Sequence, residues 1–252
     1  MSPTLPSGLP PGRLLPAGTA AVWLSDRPVA DPVAVWARCE RARDDTGLWP
    51  LLIATPEVRP GETDLTAVGT LDLSGVLERS WRSYRRAQVK WLAMSEGADS
   101  PGEDPGAPFD HWPGLAAGVP ASQGAPHSTA RTALTRLMTG PYPLTAPHVA
   151  LVPAARSADL PAVIGWQAKV PLPFLCALLR GWEERFGARV VAFDRETIHV
   201  SVARPPGDAD HAGHLALEHV LSGADNVGDG TVRYSDYAAG LVGAPLWSFS
   251  WH

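Results

Sequence analysis

The chain has 252 residues, 45% hydrophobic and 19% charged, which suits one large domain or two small ones and excludes a disordered chain. No apolar run approaches the ~20 residues of a bilayer crossing, so no membrane span is expected. The net charge of -5 offers no general field to nucleic acid or to an anionic membrane.

Residues 1–13 are rich in Pro and Gly and read as an extended lead-in. They lack the basic start and apolar block of a secretion signal, so the expected location is the cytoplasm. Ala20 to Ser25 reads as a short buried strand. Asp31-Pro32 is a helix start, a capping carboxylate before a proline at the first helical position. That helix is expected to run to about Asp45 and stop at Thr46-Gly47, before a buried strand over Leu48–Ile53. Residues 55–70 read as a loop.

Ser74 to Ser95 is the longest predicted helix, with Leu77, Trp81, Tyr84, Gln88 and Trp91 on one face. Arg79, Arg82, Arg86 and Lys90 lie on the opposite face. A basic stripe can follow a nucleic-acid backbone, but the aromatics here point the other way, so it reads as a solvated face and no nucleic-acid partner is expected. Lys90 and Lys169 are the only lysines, an arginine bias in keeping with the abundance of Ala, Gly and Pro. Gly97 to His127 is dense in Pro, Gly, Ala and Asp, as linkers and long loops are, and Phe109–Pro113 supplies apolar bulk to dock part of it.

A helix capped by Ser128 follows, then strands over Val149–Val152 and Ala162–Trp166. The helix from Pro171 to Phe186 carries a core stripe of Leu175, Leu178, Leu179, Trp182 and Phe186 and ends at Gly187. Val190–Phe193 and Ile198–Val202 pair as a hairpin around Asp194-Arg195-Glu196. Beyond the breaker Pro205-Pro206-Gly207, a helix spans Asp208 to Val220, and the chain closes on a strand containing Trp247, Phe249 and Trp251. The order implies an α+β fold: a C-terminal mixed or antiparallel sheet covered by helices, preceded by a smaller α/β N-terminal lobe. The expected units are residues 1–97, a linker or loop over 98–127, and 128–252.

The run Leu179-Arg180-Gly181-Trp182-Glu183-Glu184-Arg185-Phe186-Gly187-Ala188-Arg189-Val190-Val191 is followed by Ser201-Val202-Ala203-Arg204-Pro205-Pro206. Glu218-His219, Asp225-Asn226-Val227, Tyr237-Ala238 and Trp247-Ser248-Phe249 complete a series that resembles the bacterial family called domain of unknown function 4253. The resemblance covers roughly Val149 to the C-terminus. Leu9–Arg13 and Thr46–Leu52 look like the N-terminal half of its actinobacterial members. It implies a fold and no activity. The chain departs from the pattern at Ser222-Gly223-Ala224, where members commonly carry an aromatic-cysteine-proline step.

Candidate chemistry concentrates on the helix from Asp208. At about 100° per residue, His211, His214 and Glu218 share one narrow face, a set able to ligate a divalent ion and leave a position for water. The alternative is a face that meets solvent. His219 points into the apolar arc, as a core histidine or a general base. Glu218, His219 and Asp225 are thus the candidate catalytic groups. Asp225, Asp229, Gly230 and Asp236 match four positions of a calcium loop, but Val227 stands where an oxygen ligand is required. Asp225 and Asn226 then serve backbone amides in a turn. Glu183 and Glu184 are adjacent on a helix and cannot face each other as a catalytic pair. Cys39 and Cys176 read as small buried hydrophobes, too few for a structural zinc site and unpaired in a reducing compartment.

No nucleophile elbow, phosphate loop, zinc-protease helix or dinucleotide fingerprint is present, and no cofactor is expected. Trp247, Phe249 and Trp251 share a strand face that is either packed under the helix of Leu175–Phe186 or exposed to a partner. Three readings follow. One is a non-catalytic module that binds another protein. Another is a metal-assisted, hydrolase-type enzyme using His211, His214 and Glu218, with Asp225 or Asp236. The third is a small-ligand binding protein using a cleft between lobes.

Overall fold

The structure is a computed structural model that describes residues 3–17, 20–55, 58, 65–95, 106–120, 125–227 and 232–252. Seven strands build one sheet: β1 (Gly12–Ala17), β2 (Ala20–Ser25), β3 (Leu48–Ile53), β4 (His148–Pro153), β5 (Ala188–Asp194), β6 (Thr197–Val202) and β7 (Leu246–Ser250). Their spatial order is β1-β2-β4-β3-β5-β6-β7. The β3–β5 pair is parallel, through Leu52↔Ala192 and Ile53↔Phe193, and the other neighbours are antiparallel. Pro50 sits in the middle of β3 although it has no N–H to donate. It is tolerated because the short β3–β5 ladder begins only at Leu52.

Side chains alternate across this sheet and bury against helices on both faces. Helices α1 (Pro32–Arg41), α2 (Arg43–Thr46), α3 (Leu65–Thr70), α4 (Leu73–Ser95) and α5 (Pro126–Thr139) come first. They are followed by α6 (Leu160–Val163), α7 (Leu172–Phe186), α8 (Ala209–Leu221) and α9 (Tyr234–Leu241). Val149, Leu151, Leu52 and Val191 point to one face and meet Trp36, Cys39, Leu134 and Leu137 of α1 and α5. Ala150, Val152, Leu51, Phe193, Val200 and Phe249 point to the other and meet Leu175, Trp182 and Phe186 of α7 with Leu215 and Ala216 of α8. The Asp31 cap and the Gly187 stop fall where the sequence places them, and Asp208 adds a further cap. Asp31 accepts from Ala34 N at 3.0 Å, Asp208 accepts from His211 N at 2.8 Å, and Gly187 ends α7 in the left-handed region at φ +61°.

Four local expectations are corrected. Residues 12–17 are a strand, since the edge of β2 offers Gly12–Ala17 a full antiparallel partner. Leu65–Thr70 is a helix inside the expected loop, seated on α7 through Val68, Cys176 and Ala177. The α5 helix starts at Pro126 with Ala125 as its cap residue, and the Ser128 hydroxyl instead donates to Ala125 O at 3.0 Å. Residues 162–166 are not a strand. Pro161 opens the short helix α6, and Gly165, at φ +61°, turns the chain back. A brief apolar run cannot tell a buried strand from a buried helical turn.

The larger correction concerns the lobes. Strand β4 inserts between β2 and β3, and β3 separates β4 from β5, so residues before and after 98–127 share one sheet and one interior. Part of the expected linker, residues 106–120, lies against α8, with Phe109, Trp112 and Leu115 packed on the core. Among the described residues no helix is long and apolar enough to cross a membrane.

Candidate functional site

The face of α8 carrying His211, His214 and Glu218 is covered by residues 106–120. His211 Nε2 lies 2.7 Å from Ala117 O, and His214 Nε2 lies 3.0 Å from Gly114 O. Both rings therefore donate to the strap that crosses the helix. Glu218 has no exposed surface. Its carboxylate accepts from Ala116 N at 2.7 Å, Trp182 Nε1 at 3.0 Å, and Arg185 Nη1 and Nη2 at 2.6 and 2.8 Å. Arg185 also donates to Ala116 O at 2.9 Å, while its own backbone carbonyl accepts from Val119 N at 2.9 Å. A Cβ on Gly118 would sit 3.3 Å from the Arg185 backbone, so the strap passes there as closely as a glycine permits. The two Nε2 atoms thus carry protons committed to strap carbonyls, and both Glu218 oxygens already accept from neighbours. Among the described residues no group of three His, Cys, Asp or Glu can hold a metal ion.

His219, one residue on, is walled by aromatics. Its ring lies 4.9 Å from Trp182, 4.7 Å from Trp247 and 4.9 Å from Phe249, all edge-to-face, and Nδ1 is 2.9 Å from the Tyr237 hydroxyl. Burial pushes its pKa down to about 3, helped by the charge of Arg185, and pushes the Tyr237 phenol up. The ring is sealed from solvent, and its Nε2 is buried without a hydrogen-bond partner.

The proposed aromatic docking edge is corrected on the same grounds. Trp247, Phe249 and Trp251 are 3%, 0% and 2% exposed. Phe249 stacks on Trp182 at 5.0 Å, so α7 covers that face of β7 and it offers nothing to a partner. Asp225 and Asn226 serve the terminal strand. Asp225 N donates to Ser250 O at 2.7 Å, its carboxylate accepts from His252 N, and the Asn226 amide bonds Ser248 O and Ser250 N at 2.9 and 2.8 Å. Asp236 is exposed in the first turn of α9. Asp229 and Gly230 of the calcium-loop match lie outside the described residues.

Two further polar groups escaped the sequence reading. Buried Glu40 on α1 pairs with Arg189 of β5 at 2.7 Å and His127 at 2.8 Å. On β6, His199 Nδ1 lies 2.8 Å from Ser248 Oγ, and burial lowers its pKa to about 4 against the raising effect of Asp194. Both tie elements together across the sheet.

The open concavity lies elsewhere, beyond the carboxyl ends of the parallel strands. Its volume is about 500 Å³, and its walls are Ile53 and Thr55 after β3, Ile164–Gln167 after α6, and Phe193, Arg195 and Glu196 at the β5–β6 turn. Topology puts it there. After Phe193 the chain turns sideways into β6, while after Ile53 it departs through α3 and returns as β4 on the other side. Connections leaving a parallel pair in opposite directions open a crevice at that end.

The floor is built before any ligand arrives. Trp166 stacks on Phe193 with centroids 5.3 Å apart and planes 22° apart, and meets Trp251 edge-on at 6.1 Å. Its Nε1 donates to Arg195 O at 2.7 Å, pinning the hairpin over the indole. Trp251 N donates to Glu196 O at 3.1 Å, and the Glu196 carboxylate pairs with His252 at 3.0 Å. Arg195 is exposed and holds φ +46°, a left-handed conformation that costs a residue with a Cβ about 1–2 kcal/mol. Apart from Trp251, none of these residues was a sequence-based candidate. The available signal was an arginine at a tight hairpin turn, where glycine or asparagine is the usual occupant.

The chain matches no curated protein and no solved structure. Residues 148–252, the C-terminal part of the chain from β4 to β7, match the family model described as Domain of unknown function (DUF4253).

Proposed function

We infer that the protein binds a small molecule in the crevice at the carboxyl ends of β3 and β5. The observation that carries this reading is a concavity of about 500 Å³ with a stacked Trp166–Phe193 floor and polar side chains of Thr55, Gln167 and Arg195 on its walls. Ligand pockets run to roughly 300–1,000 Å³, apolar with a few fixed polar groups, and favour such switch points. The free, buried cysteines Cys39 and Cys176 fit a reducing cytoplasm.

A thermal-shift screen of small metabolites tests it. A ligand at 100 times its Kd stabilises the folded chain by about 2.7 kcal/mol, a shift of several degrees. Gln167→Trp, which fills the crevice from an exposed wall position, should abolish that shift. Stabilisation that survives the blocked variant, or no stabiliser at all, would overturn the reading.

Docking to another protein is the second reading, and it rests on a different surface from the buried aromatic strand. Val89, Trp91 and Met94 are 51%, 39% and 74% exposed on the last turns of α4. Met94→Glu should abolish a specific partner captured by the wild-type chain.

A further inference from the structure

We propose that the ligand of this crevice is a small carboxylate whose anionic end is held by Arg195. The proposal rests on the ligand reading above and narrows it to a chemical class. Among the described residues nothing pairs with the Arg195 guanidinium, although it stands on the rim of the cavity. Its neighbour on the rim, Glu196, is already engaged by His252 Nδ1 at 3.0 Å. The basic group left over is therefore one planar fork of N–H donors, the geometry that takes a carboxylate through two parallel hydrogen bonds.

The backbone supports the assignment. Arg195 is held left-handed at φ +46° and anchored by the Trp166 indole on its carbonyl oxygen. A glycine would occupy that corner without strain, so the side chain is retained against the local conformational preference. Strain of this kind collects where a side chain must be aimed. Beneath it Trp166 and Phe193 stack on each other, so the floor under the guanidinium is fixed before a ligand arrives. A carboxylate fits better than a phosphate dianion, because Asp194 and Glu196 flank Arg195 in sequence and would repel the second charge.

Calorimetric titration separates this inference from the reading beneath it. The probes are benzoate, indole-3-acetate and phenyl phosphate, with benzamide and indole-3-acetamide as uncharged counterparts, run on the wild-type chain, Arg195→Gly, Arg195→Gln and Gln167→Trp. The wild type should bind a carboxylate about 10- to 100-fold more tightly than its amide, the range set by a hydrogen bond to a charged group. Arg195→Gly should lose that preference while unfolding no earlier than the wild type, and Arg195→Gln should lose it without relief of strain. Equal affinity for acid and amide, tighter binding of the phosphate, or undiminished carboxylate binding by both Arg195 variants overturns the anion assignment and leaves the ligand reading standing. Probes that bind neither to the wild type nor differently to Gln167→Trp overturn both.

Discussion

The α8 face and the β3–β5 crevice present the same kinds of side chain, and the fold has treated them oppositely. On α8 the Glu218 oxygens accept from Ala116, Trp182 and Arg185, and the Nε2 protons of His211 and His214 go to strap carbonyls, so each of these atoms has a partner inside the molecule. In the crevice Arg195 lines an open volume, with its guanidinium unpaired among the described residues. Residue types that suggest chemistry are therefore a poor guide by themselves. What separates architecture from a site is whether hydrogen-bonding capacity remains after folding.

The sharpest test of that contrast is Glu218→Ala. Removing the carboxylate strands the charge of Arg185 and leaves Trp182 Nε1 and Ala116 N without their acceptor. Breaking a buried ion pair by deleting one partner costs about 3–5 kcal/mol, which chemical denaturation will register directly. Hydrogen exchange should show the Ala116 and Val119 amides losing protection together, because the strap over residues 106–120 hangs on this pair. A loss below about 1 kcal/mol would mean that the pair is not structural, and the α8 face would return as a place for chemistry.

Acid probes the same region more gently. His219 is neutral in the folded state, with a pKa near 3, and titrates near 6.5 once unfolded. Between those values the unfolded chain binds the extra proton, so stability is complete above pH 6.5 and falls as pH drops towards 3. His199, held near 4, acts in the same direction. Each histidine should cost roughly 2 kcal/mol between pH 7 and pH 5. His219→Phe should flatten the pH dependence by its share, whatever it does to absolute stability. A slope unchanged in His219→Phe would show that the ring is not sealed away from protons by Trp182, Trp247 and Phe249, or from the charge of Arg185.

Much of this architecture was legible in the sequence because local physics decides it. The Asp31 cap, the Gly187 stop and the Leu175–Phe186 stripe each depend on a few adjacent residues, and all stand as expected. The shared sheet was not legible. Strand β4 reaches its place between β2 and β3 only through pairing across about a hundred residues, as in Leu52↔Val149, which no local pattern encodes. The same gap hid the candidate site. Ile53, Trp166 and Arg195 lie on three elements far apart in sequence and become neighbours only when β3 and β5 align. Strand β3 also lies outside the segment matched by the family, so residues 148–252 alone would leave β4 and β5 without the strand between them.

The finest form of the comparison uses two residues with the same backbone. Ala146 and Arg195 both hold φ +46° without being glycine, Ala146 on the exposed turn before β4 and Arg195 on the crevice rim. Glycine relieves the left-handed cost at either position but enlarges the entropy of the unfolded chain, so each substitution should leave the unliganded protein unchanged or up to about 1 kcal/mol more stable. The two variants should then part company. Ala146→Gly should bind small carboxylates as the wild type does, whereas Arg195→Gly should not, because only the second removes a cation from the lining of the crevice. If both lose binding equally, the effect travels through the backbone of the sheet rather than through the guanidinium, and the distinction between a saturated region and an open one fails at the place where it is most exposed.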